Sequence, residues 1–339
     1  MKGETLSQGH PTEYSSIGMD ILFGQMKDIK THPDGRASLD DLYRRHHELE
    51  TNYGFKQEVI YTIQIDARSK HIAVPVFCYI SPHPEGTDSL SLMTGIHGEE
   101  PGPPNAVANQ IDEIGNLGQK IPLSVMPLLN PAGYYRNWRF HDMPFSLKRR
   151  NVTDSRHLLP NPSDPLRPML AYPQSKISDR FTRYFLDLNR RYPIRLFFDL
   201  HEDAKLVEGY LYSQGQLVER DPVAIECAQI LVDNRVKLKM DGETRFPGEV
   251  VRNGLVFDQK GGPVQDGSID QLAAASFVFK NGLLVSNHAA HTAIVPETPT
   301  IGGITFDDRV RAHETIIKNL PRFWDIISLN SINTGFLNM

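Results

Sequence analysis

The chain has 339 residues, of which 40% are hydrophobic and 23% are charged, and its formal net charge is -5. This length is sufficient to bury a large core, and the slightly acidic balance gives no general reason to expect nucleic acid or an anionic membrane as a partner. Because Cys78 and Cys227 are the only cysteines, the composition excludes a disulfide framework and a zinc site built from cysteines.

The N-terminal region reads as a polar segment followed by a helix. Residues 1–16 lack the apolar core of about 7 to 15 residues that a signal peptide needs, and no apolar run elsewhere approaches ~18 residues. We therefore expect a cytoplasmic protein. Ser38, followed three residues later by Asp41, is typical of a helix start and predicts a charged surface helix over 38–55. No repeat or low-complexity linker interrupts the chain, so we predict one domain over 1–339, with 1–58 packed on it.

Strand-like and helix-like segments alternate along the rest of the chain. The predicted strands include "EVIYTIQI", "IAVPVFCYI", "SLSLMTGI", "PLSVMPLLN", "RLFFDLH", "EGYLYS" and "GLLVSNH". The predicted helices include "NAVANQIDEIG", "ISDRFTRYFLDLNRRY", "DPVAIECAQILVDNRV" and a final amphipathic helix, "DDRVRAHETIIKNLPRFWDII". This alternation predicts an α/β fold with a central mixed, mostly parallel twisted sheet that is flanked by helices on both faces.

The pattern His-x-x-Glu occurs three times, and about one accidental match is expected from the 13 histidines. The copies at 10–13 and 47–50 lie in a polar tail and on a charged helix, and we interpret both as surface residues. His97 and Glu100 differ, because an apolar strand leads directly into a turn rich in glycine and proline that precedes a helix. This third copy is therefore the candidate functional site.

A second histidine has the same setting, since His201 ends the apolar run "RLFFDLH". Two ligands on one turn and a third from a distant strand are typical of a catalytic zinc, with a fourth position left for water. Asp199 lies two residues before His201 and so points to the same face of a strand, where it would accept a hydrogen bond from a liganding imidazole. The alternative is that His97 and His201 are ordinary core or strand-end histidines.

The segment between these histidines contains Asn-Pro-Ala-Gly after a strand, followed closely by Trp138 and Arg139. In this order of motifs, over roughly residues 60–300, the chain resembles the zinc carboxypeptidase family, the carboxypeptidase A-like metallopeptidases. The resemblance implies a carboxypeptidase-like fold of the phosphorylase/hydrolase type. It also implies one zinc ion per chain, held by His97, Glu100 and His201.

The resemblance further implies two catalytic residues. Arg139 matches the arginine that helps to polarise the scissile carbonyl, and Glu297, in "HTAIVPETPT", matches the late glutamate that accepts a proton from water and passes it to the departing amine. The alternative for Glu297 is an ordinary loop glutamate between Pro296 and Pro299. Glu99 matches no residue with a family role, and we interpret it as a solvated turn residue.

Local positive charge indicates the substrate class. The segment 136–156 is basic although the whole chain is acidic, and guanidinium groups bind carboxylates in a bidentate manner. We therefore expect a small peptide or N-acyl amino acid substrate that bears a carboxylate. The arginines predicted to bind it are Arg136, Arg149, Arg150 and Arg156.

Departures from the digestive carboxypeptidases leave several functions open. The chain has no tyrosine between Tyr212 and Glu297, and its "DLHE" is similar to sequences of the murein-peptide amidases and of the succinylglutamate desuccinylase and aspartoacylase branch. The first hypothesis is a zinc hydrolase that cleaves a peptide or amide bond next to a free carboxylate. The alternatives are an N-acyl amino acid deacylase and a non-catalytic metal- or ligand-binding descendant.

His288 and His291 lie shortly before Glu297, and we interpret both as structural residues. The alternatives are that they line the pocket or bind a second metal.

Overall fold

A computed structural model of the protein describes residues 16–27, 29, 31–67, 70–141 and 152–335. The helices are α1 (Ser16–Met26), α2 (Leu39–Tyr53), α3 (Gly102–Asn109), α4 (Ile111–Gly118), α5 (Pro131–Arg136), α6 (Lys176–Arg191), α7 (Pro222–Asp233), α8 (Ile269–Ala274), α9 (Phe306–Lys318) and α10 (Leu320–Gly335). The strands are β1 (Lys56–Ala67), β2 (Lys70–Ile80), β3 (Ser89–Thr94), β4 (Leu123–Met126), β5 (Pro160–Asn161), β6 (Asp164–Pro168), β7 (Ile194–Asp203), β8 (Tyr210–Ser213), β9 (Asp241–Glu243), β10 (Glu249–Arg252), β11 (Leu255–Asp258), β12 (Phe277–Lys280), β13 (Leu283–Ser286) and β14 (Thr292–Pro299).

Ten of these strands form one sheet in the order β1-β2-β4-β3-β7-β14-β8-β11-β10-β9. The pairs β4/β3, β3/β7, β7/β14 and β8/β11 are parallel. The other pairs of neighbouring strands are antiparallel. The predicted α/β architecture with a central mixed sheet is therefore confirmed, although the sheet is not mostly parallel, since four of its nine strand pairs are parallel. The parallel part of the sheet is concentrated at the centre. Only two residues separate β1 from β2, and likewise β10 from β11, and so short a connection allows only antiparallel pairing.

The middle of β7 shows how helices cover both faces of the sheet. Successive side chains of a strand point to opposite faces. The ring of Phe197 lies 5.5 Å from that of Phe185 on α6, whereas the ring of Phe198 lies 5.5 Å from that of Phe323 on α10. All four rings are fully buried, and burying each one stabilises the fold by about 1.5–3 kcal/mol. The strand that carries His201 is thereby fixed from both sides.

The predicted N-terminal helix is confirmed as α2. The side chain of Ser38 accepts a hydrogen bond from the backbone N–H of Asp41 at 3.0 Å, and Gly54 ends the helix in a left-handed conformation with a φ of 68°. Tyr43, buried on the inner face of α2, donates a hydrogen bond to the carbonyl of Pro75 on β2 at 2.7 Å. The polar segment 1–15 lies outside the described residues.

Two predicted helices are each divided in the structure. "NAVANQIDEIG" forms the end of α3 and most of α4, with Gln110 between them, and the final helix is broken at Asn319 into α9 and α10. Pro321 explains the second break, because proline has no N–H to continue a helix but is well suited to its first turn. No helix within the described residues combines the length and the apolar character that a membrane span requires.

The alternative for Glu297, an ordinary loop glutamate next to Pro296 and Pro299, is wrong, because Glu297 lies within the strand at residues 292–299. These residues form β14, which lies between β7 and β8 and has only buried or half-buried side chains. Proline is disfavoured inside a sheet because it cannot donate a ladder hydrogen bond. The parallel pairing of β14 with β7 skips Val295 and Pro296, where Pro296 instead faces Leu211 of β8. This gap in the ladder accommodates the proline without a change of register.

Candidate active site

His97 lies in a tight turn directly after β3, whose side chains are all buried. The turn is held by contact between two glycines. A Cβ atom on Gly98 would lie only 1.9 Å from the carbonyl carbon of Gly133 in α5, so the backbone of the turn rests directly on that helix. Only glycine permits this approach. The His-Gly-Glu-Glu and Asn-Pro-Ala-Gly motifs are thus two halves of one packing contact.

Polar contacts fix the same two segments. Asn130 caps α5 by accepting a hydrogen bond from the N–H of Gly133 at 2.9 Å. The buried guanidinium of Arg36 donates to the carbonyls of Gly98 at 3.0 Å and Tyr134 at 2.5 Å. Sequence reasoning missed Arg36, because it precedes α2 in a polar stretch that carries no motif. It fastens the turn of His97 to α5.

The structure brings the three predicted metal ligands together. The ligand atoms of His97, Glu100 and His201 all lie within 4.8 Å of one another, and the three side chains are buried. Nδ1 of His97 lies 2.8 Å from one oxygen of the Glu100 carboxylate, and Nδ1 of His201 lies 2.8 Å from the other. In the part of the chain that the structure describes, no other group of His, Cys, Asp and Glu meets the same distance limit.

Burial and neighbouring charges set the protonation states of this cluster. Burial lowers the pKa of His97 to about 4, and the charge of Arg139 acts in the same direction, so its imidazole is neutral at neutral pH. Burial alone would raise the pKa of Glu100, but the two imidazoles hold it well below its usual range. Burial also opposes the charged form of His201, yet Asp199 and Glu100 hold its pKa well above the ordinary value. Glu100 therefore stays ionised.

Asp199 occupies the position expected of a residue that orients His201. One of its carboxylate oxygens lies 2.9 Å from Nε2 of His201, which leaves Nδ1 of the same ring directed at Glu100. Its other oxygen is buried without a hydrogen-bond partner among the described residues. Burial raises the pKa of Asp199, while His201 opposes that shift.

Glu297 is placed beside the cluster by strand register. Its Cα is the direct partner of His201 in the parallel β7/β14 pair, so both side chains project from the same face of the sheet. Burial raises the pKa of the Glu297 carboxyl well above its usual range, Glu100 and Asp203 act in the same direction, and His201 and Arg139 oppose them. A carboxyl with a raised pKa is suited to exchanging protons near neutral pH.

Arg139 reaches the same centre from the segment after α5. One of its terminal nitrogens donates to Glu99 at 3.0 Å and to Glu100 at 2.9 Å. Burial disfavours the charged guanidinium, but these two carboxylates raise the pKa of Arg139. Glu99 is therefore more than the solvated turn residue that the sequence suggested, because it is ion-paired with Arg139 and lines a cavity above the three predicted ligands.

The predicted substrate-binding arginines have different placements. Arg136 stacks over Trp138 at 4.9 Å and lies 3.9 Å from Asp66, and Arg156 forms an ion pair with Asp154 at 2.7 Å. Neither lines the cavity. Arg149 and Arg150 lie outside the described residues.

The cavity above His97 and His201 has a volume of about 630 Å³. Two basic side chains that sequence reasoning missed, Lys205 and Arg245, contribute to its lining, and Arg245 is ion-paired with Asp203. The sequence around Lys205 predicts only a loop after His201, and the sequence around Arg245 predicts only a loop before β10. Neither loop carries a motif. The cavity also presents these carboxylates: Glu99, Asp199, Asp203, Glu249, Asp258, Asp266, Asp270 and Glu297.

His288 and His291 do not belong to this cavity. They precede the amino end of β14, whereas Glu297 lies near its carboxyl end. The backbone carbonyl of His288 accepts a hydrogen bond from Asn189, and Nδ1 of His291 lies 3.1 Å from the hydroxyl of Thr292. These contacts fit the structural interpretation.

Comparison with solved structures relates the fold of this chain to known proteins. A protein from Shewanella baltica OS155, named provisionally as a metallopeptidase, is 22% identical over 83% of this chain and 90% of its own, with a TM-score of 0.62. A Burkholderia cenocepacia metallo-carboxypeptidase is 10% identical over 86% of this chain and 70% of its own, with a TM-score of 0.54. This chain has the metallocarboxypeptidase fold. A second protein that is named provisionally as a metallopeptidase comes from Shewanella amazonensis SB2B. It is 19% identical over 82% of this chain and 91% of its own, with a TM-score of 0.62. No protein-family model and no curated protein matches the sequence.

Proposed function

We propose that this protein is a zinc-dependent hydrolase that cleaves a peptide or amide bond next to a free carboxylate. The observation that carries the proposal is the convergence of His97, Glu100 and His201, within 4.8 Å, beside a cavity that Glu297 also lines. The metallocarboxypeptidase fold supports it. We further propose that the whole chain, 1–339, acts as a single catalytic domain.

The donor set fits one zinc ion. Two imidazoles and one carboxylate are a common protein ligand set for catalytic zinc, and both Nδ1 atoms are directed at the same carboxylate. Asp199 holds the second nitrogen of His201, as carboxylates commonly do for liganding imidazoles. Binding of the cation would release the proton that His201 holds in its absence.

The residues around the ligands supply the remaining chemistry. A zinc ion bound there would act as a Lewis acid and lower the pKa of water. Glu297 accepts the proton of the attacking water and delivers it to the departing amine, which is a poor leaving group without that proton. Arg139 donates hydrogen bonds to the negative charge that develops on the scissile carbonyl oxygen. Glu99 keeps the guanidinium facing the cavity.

The basic groups of the cavity are suited to the substrate's carboxylate. Lys205 and Arg245 both line it, and a guanidinium or ammonium group pairs well with a carboxylate. Arg149 and Arg150 stay predictions for the same role. The substrate class that we propose is a small peptide or an N-acyl amino acid.

Metal analysis combined with a substrate panel tests the proposal. The purified protein should bind about one zinc ion per chain. It should hydrolyse peptides with a free C-terminal carboxylate faster than acetyl- or succinyl-amino acids. Glu297→Gln should keep the zinc and lower kcat by about 10²–10⁴-fold, because the proton transfer is lost. Faster hydrolysis of the acyl-amino acids would favour the deacylase instead. Zinc binding without hydrolysis of any substrate would favour a non-catalytic descendant, and no zinc binding would overturn the proposal.

A further inference from the structure

Glu202 is a fully buried carboxylate next to a metal-ligand candidate. It follows His201 on β7, so its side chain points to the opposite face of the sheet, away from the cavity. A buried charge needs partners, and this one has two. The carboxylate accepts hydrogen bonds from the backbone N–H of Gly102 at 2.8 Å and from Nε of Arg309 at 2.5 Å.

The first of these bonds ties Glu202 to the segment that carries Glu100. Gly102 begins α3 two residues after Glu100. In addition, the backbone N–H of Glu202 donates to the Glu100 carboxylate at 3.3 Å. Residue 202 therefore contacts this segment twice, once through its backbone and once through its side chain.

The approach of the two segments is close. A Cβ atom on Gly102 would lie 2.5 Å from a carboxylate oxygen of Glu202, so a residue larger than glycine would displace that carboxylate. The second partner, Arg309, comes from α9, which packs against α3. One carboxylate thus joins the strand of His201, the turn of Glu100 and a covering helix.

We propose that Glu202, held by Arg309, is a positioning residue that fixes Glu100 against His201 and thereby sets the affinity of this site for a divalent cation. The inference rests on the proposed function in one respect, namely that the site binds zinc. A positioning role differs from general stabilisation, because it affects zinc affinity in the folded protein and not only the melting temperature.

A second ion pair in the chain provides a matched control. Glu58 on β1 and Arg191 on α6 form two hydrogen bonds, at 2.8 and 2.9 Å, and neither residue lines the cavity. Glu58→Gln removes a charge from a largely buried ion pair, as Glu202→Gln does, but far from the ligand candidates in the sheet order.

The experiment measures the zinc Kd, by competition with a chelating dye, and the Tm of the metal-free protein. The proteins compared are the wild type, Glu202→Gln and Glu58→Gln, each titrated well below its Tm. We expect both variants to lose thermal stability. Glu202→Gln should also bind zinc 10- to 100-fold more weakly, which is the usual effect of removing a group that orients a ligand. Glu58→Gln should bind zinc within about twofold of the wild type.

Unchanged zinc affinity in Glu202→Gln would overturn the inference, as would an equal loss of affinity in Glu58→Gln. If Glu202→Gln does not fold, Arg309→Lys takes its place, because lysine keeps the charge but not the guanidinium geometry. Weaker zinc binding by Arg309→Lys supports the inference and unchanged binding overturns it. A wild-type protein that binds no zinc would overturn the proposed function together with this inference. If the wild type binds zinc and Glu202→Gln binds it equally well, only this inference is overturned.

Discussion

At the scale of single residues, Glu100 is the common acceptor of the site. Its carboxylate receives contacts from His97, His201 and Arg139 at 2.8 to 2.9 Å. Because a buried carboxylate is costly unless it is paired, this convergence holds the side chain in one position and keeps it ionised. The same convergence holds Arg139 beside the predicted metal ligands, as its proposed role in catalysis requires.

Arg139 permits a prediction about catalysis. Arg139→Lys keeps a positive charge but loses the planar guanidinium that contacts both Glu99 and Glu100. We expect kcat to fall by about 10²–10³-fold, the usual effect of losing one donor to the developing oxyanion, while the zinc content stays the same. Steady-state kinetics on the best substrate of the panel, with metal analysis, measure this.

Arg183→Lys is the control for that experiment, since Arg183 lies on the exposed side of α6 and pairs only with Asp179 among the ion pairs of the described residues. It should retain wild-type kcat. An unchanged kcat in Arg139→Lys would remove Arg139 from the mechanism.

At the scale of elements, the turn after β3 and helix α5 act as one unit. Gly98 and Gly133 bring their backbones into contact, and Arg36 donates to carbonyls on both sides of that contact. Such a joint positions His97 by backbone packing.

Gly98→Ala tests this joint. The added methyl group would lie 1.9 Å from backbone atoms that no side-chain rotation can move. We expect the free energy of unfolding to fall by about 3 kcal/mol or more, at the upper end of the cost of overpacking, and zinc binding to weaken because His97 shifts. Urea unfolding and zinc titration measure the two effects.

Gly24→Ala is the matched control, because a methyl group at this position of α1 meets no atom within 4 Å. It should leave the stability unchanged or raise it by up to about 1 kcal/mol. Equal behaviour of the two alanine variants would refute the packing argument.

At the scale of the whole molecule, buried histidines make stability depend on pH. His46, on the inner face of α2, is almost completely buried, and its Nε2 has no hydrogen-bond partner among the described residues. Burial lowers its pKa to about 3. Since the folded pKa lies below the ordinary value of about 6.5, the unfolded chain binds more protons between these two values. The contribution of His46 is therefore fully present above pH 6.5 and declines as the pH falls toward 3.

His46→Gln tests the prediction. In the wild type we expect the free energy of unfolding to decrease below pH 6.5, with His46 contributing up to ~1.4 kcal/mol per pH unit. The variant should show a shallower slope between pH 4.5 and 6.5, measured by urea unfolding at several pH values. Gly24→Ala, which removes no titratable group, should keep the wild-type slope. A slope in His46→Gln equal to that of the wild type would contradict this assignment.

The sequence by itself determined the α/β architecture, most strands and helices, and the candidates for the site. Apolar runs, helix caps and turn residues are local signals, so the ends of β3 and β7 and the cap of α2 were readable from composition and spacing. Family resemblance then identified His97, Glu100 and His201 as a set.

Only the tertiary structure decided which groups meet. That β14 is a central strand depends on pairing with β7 and β8, which outweighs the local effect of its prolines. Likewise, the pairing of Glu99 with Arg139, the placement of Arg245 in the cavity and the contact of Glu202 with Gly102 join distant segments. Such contacts form because buried charges and close backbones need partners, and a single sequence does not encode which distant residue will supply them.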